Sequence, residues 1–116
     1  MNTTQIAQTL VGLLKQQQFV EAYSQLFAND AESHDPIYAT QPPLRGLELL
    51  IEREKQFLQR AQIHGIEVSE PIIAGSYFTI SLQMDFTAAD ERKKLAELCV
   101  YKVTDGKIVR QEFFIG

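Results

Sequence analysis

Between Phe78 and Phe86 the chain alternates strictly: Phe78, Ile80, Leu82, Met84 and Phe86 are apolar, and Thr79, Ser81, Gln83 and Asp85 between them are polar. Successive side chains of a strand point to opposite faces, so this run is a strand with one buried and one polar face. The first half of the chain keeps a different period. Ile6, Leu10, Leu13 and Leu14 recur at helical spacing behind a cap at Thr3 or Thr4. After the break at Gln16-Gln17-Gln18 the period resumes with Phe19, Ala22, Tyr23, Leu26 and Phe27, a second short helix. Leu47, Leu50, Ile51, Phe57 and Leu58 mark a third amphipathic helix over residues 47–60, with Glu48 and Glu52 near its positive end. A chain that is helical first and strand-rich afterwards points to an α+β architecture.

Four strands are expected in the second half, over residues 66–74, 77–86, 95–104 and 107–115. Turn signals separate them at Gly75-Ser76, Ala88 to Glu91 and Asp105-Gly106, the last a strong hairpin signal. Glu32 to Asp35 reads as a short additional strand. The irregular segment after it holds Pro42-Pro43, which excludes regular helix or central strand, and its Tyr38 and Leu44 are placed to fold over an opening. The expected architecture is three N-terminal helices packed in a curved antiparallel sheet, leaving a cone-shaped interior filled at its narrow end and open at its wide end. At 116 residues this is one domain, 1–116.

Parity decides what faces that interior. In the run from Leu95 to Val103, Lys102 belongs in solvent, so Ala96, Leu98 and Val100 share the outer face while Glu97, Cys99, Tyr101 and Val103 point inward. A buried Glu97 must be paired, with Arg45 or a tyrosine as candidates, or hydrogen-bonded, or protonated. The apolar outer face calls for a second subunit, hence a homodimer. Proline pushes the residue before it into an extended conformation, which lets Asp35 aim its carboxylate at the enclosed space, although Asp before Pro also serves turns for local reasons. Tyr38, Phe57, Phe78, Met84, Cys99 and Phe113 are the expected pocket wall. Phenyl rings that plugged the cone instead would leave a purely structural module. The last strand stays open between Gln111 with Phe113 and Glu112 with Phe114 facing inward, because a bulge would exchange them.

Other chemistries find little support. Two histidines, His34 pointing away from the cone and His64 at the end of the third helix, lack metal-ligand spacing, so no metal is assigned. No phosphate loop, nucleophile elbow or dinucleotide fingerprint is present, and no cofactor is expected. Cys99 lacks an inward histidine and reads as a small buried hydrophobe, and as a lone cysteine it excludes an intrachain disulfide. A net charge of −4 and a pI near 5.1 argue against nucleic acid or an anionic membrane as partner. The N-terminal Met-Asn-Thr-Thr-Gln carries no export signal, so a cytoplasmic location is expected.

The run from Phe27 through Asp35-Pro36, the segment Pro42-Pro43-Leu-Arg-Gly46 opening a helix, and the hairpin Val100-Tyr-Lys-Val-Thr-Asp-Gly-Lys-Ile-Val109 resemble the nuclear transport factor 2-like superfamily. Within it the likeness is to SnoaL-like polyketide cyclases and the related ketosteroid isomerases, and it extends over nearly the whole chain. The resemblance implies a cone-shaped, cystatin-like α+β barrel that pairs as a dimer through its sheet face. It implies that Asp35 abstracts a proton from carbon next to a carbonyl. Val11 and Cys99 stand where ketosteroid isomerases place a tyrosine and a protonated aspartate, so the acid would have to come from Glu97 with Tyr101. The implied activity is isomerisation, cyclisation or dehydration of a hydrophobic carbonyl compound, and the alternative is a non-catalytic ligand-binding or dimerisation module.

Overall fold

A capping box needs Glu or Gln three residues beyond the cap, and that requirement selects Asn2 over Thr3 and Thr4, which are followed at this distance by Ile6 and Ala7. In the computed structural model, which describes residues 1–116, Asn2 Oδ1 accepts from the Gln5 amide at 2.8 Å and Gln5 Oε1 accepts from the Asn2 amide at 3.0 Å. Helix α1 (Thr3–Lys15) starts there. Replacing the cap, Asn2→Ala, is expected to cost about 1 kcal/mol, read as a lower urea midpoint at unchanged slope.

Helix α2 (Phe19–Leu26) is one residue shorter than its apolar period, because Phe27 leaves the helix and opens strand β1 (Phe27–His34). The additional strand is thus eight residues long, starting well before Glu32. A single 3-10 turn, Pro36–Tyr38, leads to the two-residue β2 (Leu44–Arg45), and helix α3 (Leu47–Arg60) has its expected bounds. The strand expected over 66–74 is two strands, β3 (Ala61–Val68) and β4 (Ile72–Ala74), interrupted at Pro71. Because β3 begins directly at the helix end, His64 lies within a strand, its Nε2 2.7 Å from Thr87 Oγ1. Strands β5 (Tyr77–Ala88), β6 (Glu91–Thr104) and β7 (Lys107–Ile115) form the meander. Its two tight turns use left-handed residues, Ala89 with Asp90 and Asp105 with Gly106, the pattern whose twist matches paired strands.

The sheet runs β2-β1-β7-β6-β5-β3, with β4 alongside β5, and remains open at its edges. Every pairing is antiparallel except one: β1 lies parallel to β7, which makes the sheet mixed where a wholly antiparallel one was expected. Helix α3 and the meander separate the two strands in the chain, so no hairpin dictates their direction. The core lies between the helices and the inner sheet face, where Ile6, Leu10 and Leu14 of α1 join Phe78, Ile80, Cys99 and Ile108 in one cluster. On the outer face, Leu98 and Phe114 sit opposite each other across β6 and β7, 45 % and 50 % exposed. No helix is long and apolar enough to cross a membrane.

Candidate functional site

Toward the wide end the packing opens into a cavity of about 210 Å³ between α2, α3, the turn after β1 and the inner sheet face. Fourteen of its 20 lining residues are hydrophobic, so the six charged or amide side chains that reach it, Asp35, Arg53, Glu54, Arg60, Glu97 and Gln111, set its chemistry.

Asp35 follows β1 in an extended conformation (φ −128°, ψ 121°). Its Oδ1 accepts from the Ile37 amide at 3.0 Å, so the same carboxylate caps the 3-10 turn and lines the cavity. The turn holds Ile37 and Tyr38 over the opening, and the Arg53 guanidinium lies 4.6 Å from the Tyr38 ring centre. Glu97 enters from the inner face of β6, as its parity requires, and no cation pairs with it. Arg45 is on the other side, exposed and 3.5 Å from Glu32. Burial, reinforced by the negative charges of Asp35 and Glu54, pushes the Glu97 carboxyl up to about 7, although the Cys99 thiol donates to its Oε1 at 3.5 Å. Glu54 is pushed up to about 6, again by burial first, with Arg53 opposing and Asp35 adding. No group of three or more acidic, histidine or cysteine side chains is arranged to hold a metal ion.

Tyr38, Phe57, Met84 and Phe113 line the cavity together with Tyr101. Phe78 and Cys99 do not, contrary to expectation. Both have inward parity, but Phe78 is 1 % exposed and stacked on Tyr101 at 4.8 Å between ring centres, filling the narrow end, and Cys99 is sealed behind its neighbours. The Cys99 thiol is accordingly pushed far up by burial and by Glu97, an inert group. Burial likewise raises the Tyr101 hydroxyl, with Cys99 and Tyr23 adding. The open choice on the last strand falls to Gln111 and Phe113 inward, and the pairing of β6 with β7 slips between Lys102 and Val103, an irregularity of the kind that exchanges the two faces.

Four polar residues of the cavity were missed from the sequence, Tyr23, Arg53, Glu54 and Arg60, the last noted only as a helix end. Glu54 carried a legible signal, because Leu47, Leu50, Glu54, Phe57 and Leu58 share one helical stripe and a carboxylate on such a stripe points at the core. Tyr23 was placed only on a packing stripe, and Arg53 is adjacent to Glu54 but off the apolar period. Tyr23 and Arg53 share a network with Gln111 and Ser33: Gln111 Nε2 donates to the Tyr23 hydroxyl at 2.8 Å and to Ser33 Oγ at 3.0 Å, and Arg53 Nη2 donates to the same Ser33 oxygen at 3.1 Å. His34, one residue beyond Ser33, faces the other way, 3.4 Å from Glu32.

The crystal structure of a Mesorhizobium loti protein with the provisional name SnoaL-like polyketide cyclase superposes with a TM-score of 0.92 at 27 % identity, covering 98 % of this chain and 99 % of that one. A protein of unknown function with a cystatin-like fold from Xanthomonas campestris gives 0.81 at 19 %, covering 100 % and 92 %, and an LEH-like epoxide hydrolase from M. tuberculosis gives 0.72 at 13 %, covering 98 % and 82 %. The last two likenesses carry the fold alone. No protein of curated function matches the sequence. The model of the SnoaL-like domain matches residues 1–115, and with the three helices and the curved mixed sheet this assigns the chain to the SnoaL-like domain family.

Proposed function

We propose that the cavity performs general acid/base chemistry on a small, largely apolar carbonyl compound, with Asp35 as base and Glu97 as acid. The observation that carries this reading is that both carboxyl groups line one cavity, Glu97 held at about 7 by burial while Asp35 sits at the mouth beside the capped turn. Near neutral pH such a pair offers one proton acceptor and one proton donor without a bound cofactor. Asp35 takes a proton from the carbon next to the carbonyl, and Glu97 gives its proton to the carbonyl oxygen, leaving an enol. In an enol conjugated with a C=C bond, delivery of the Asp35 proton to the far carbon, with the enol O–H proton going back to Glu97, is an isomerisation. Attack of the enol carbon on a second carbonyl of the same molecule, with the Asp35 proton passing to the new alkoxide and the enol O–H proton going back to Glu97, is an aldol cyclisation. Tyr101, beyond Cys99 on the same strand face as Glu97, lines the cavity as a further hydroxyl donor. The apolar face bearing Leu98 and Phe114 supports pairing of two copies as a homodimer.

Isomerisation and cyclisation begin with α-proton removal, so exchange of α-protons for deuterium in small apolar ketones such as 1-indanone, followed by proton NMR in D₂O, tests the reading without a known substrate. Catalysed exchange is expected, with a rate that falls as pH rises above about 7, because the protonated fraction of Glu97 drops tenfold per pH unit there. Glu97→Gln keeps a donor but no longer ionises, so it is expected to lose that basic limb. A limb that persists in the variant removes Glu97 as the acid, and absence of exchange across a panel of ketones favours a module that only binds ligand.

A further inference from the structure

The hydrogen bonds around Gln111 leave two unused valences in the cavity. Its amide nitrogen spends both hydrogens, on Tyr23 and on Ser33, so its carbonyl oxygen has no donor in the protein. The Tyr23 hydroxyl receives one of those hydrogens, and its own O–H has no acceptor. Gln111 is 2 % exposed, and both residues line the cavity. Gln111 is buried and Tyr23 half-buried, and the position each keeps open is one that a molecule in the cavity can fill. Exchanging the two ends of the amide reverses the roles and still presents one donor and one acceptor side by side. Arg53, through Ser33, anchors the amide from the mouth of the cavity.

We propose that Tyr23 and Gln111 form a subsite for a hydroxyl group, so that the ligand is a hydroxylated, otherwise apolar molecule. A hydroxyl is the smallest group that matches the pair: its oxygen accepts from one partner while its hydrogen is donated to the other. An ether or a ketone satisfies only the donor, and a hydrocarbon that fills the cavity leaves both groups unpaired, which is how sites of this kind reject analogues that lack the oxygen. The inference rests on the reading of this cavity as a small-molecule site. It adds that the substrate carries an alcohol or enol beside the carbonyl that Glu97 and Asp35 address.

The test uses 2-naphthol and naphthalene as matched probes, with dissociation constants from probe fluorescence. Naphthalene is the more apolar and would bind more tightly to a cavity that recognised shape alone. The wild-type protein is expected to prefer 2-naphthol by about tenfold or more. Tyr23→Phe and Gln111→Met, each close to the native side-chain volume, are expected to bring the ratio of the two constants to one or to reverse it while naphthalene affinity holds. Melting curves establish that each variant is folded, and either folded variant gives the answer. Equal binding of the probes by the wild type, tighter naphthalene binding, binding of neither, or a ratio unchanged in both variants overturns the subsite. The acid/base reading is judged separately: hydroxyl preference with no catalysed α-proton exchange sinks that reading and leaves the subsite, and exchange without hydroxyl preference does the reverse.

Discussion

Asp35→Asn is expected to lower the rate of α-proton exchange, or of turnover of any substrate found, by at least about a hundredfold with little loss of stability. The size follows from the role, since a positioned general base contributes on the order of 10²–10⁴ in rate and an amide cannot take up the proton. The stability follows from the cap. Asp35 holds the turn through one oxygen that accepts from the Ile37 amide, and the Asn carbonyl oxygen can accept the same bond. The substitution therefore separates the two uses of one side chain: the turn keeps its acceptor and the cavity loses its base. A variant that unfolds early would show that the charge was serving the turn. One that is folded and fully active would reject Asp35 as base.

The largest stability effect is expected at Phe78→Ala, about 3–5 kcal/mol. The ring is 1 % exposed, stacked on Tyr101, and fixed within the core cluster that joins α1 to the inner sheet face, so its removal leaves a void that neighbouring strands cannot close. Single domains are stable by only about 5–15 kcal/mol, so this loss takes a large share of the total and should appear as a melting temperature lower by some 10–20 °C. A cost below about 1.5 kcal/mol would mean that the narrow end is loosely packed. Because Tyr101 rests on Phe78 and also lines the cavity, the same variant should loosen the wall beside Glu97, whereas Phe78→Leu, which retains most of the volume, should do so less.

The raised Glu97 carboxyl links the two halves of the picture. It is held near 7 by desolvation first and by Asp35 and Glu54 after that, and the groups responsible come from β6, the turn after β1, and α3. None of that environment exists in an isolated strand, where a glutamate at this position would titrate as any exposed carboxylate does. The chemistry proposed for the cavity is in this sense a property of the packing, although the inward direction of Glu97 was legible from the alternation around Lys102.

What the sequence by itself determined was everything governed by local periodicity. The limits of α3 at Leu47 and Arg60 followed from its apolar stripe, those of β7 at Lys107 and Ile115 from the hairpin that precedes it, and the inward set Cys99, Tyr101 and Val103 from the two-residue repeat of β6. What only the tertiary structure decided were pairings between residues far apart in the chain. Phe27 fits a helical period and a strand equally well, and it joins β1 because that strand finds β7, where Phe27 pairs with Ile108. The same parallel pairing sets Ser33 beside Gln111, and Tyr23 of α2 and Arg53 of α3 close on them from the helical side. Strand register across such separations is fixed by the burial of whole faces, and the energy of burial belongs to the assembled layers, so no window of sequence contains it.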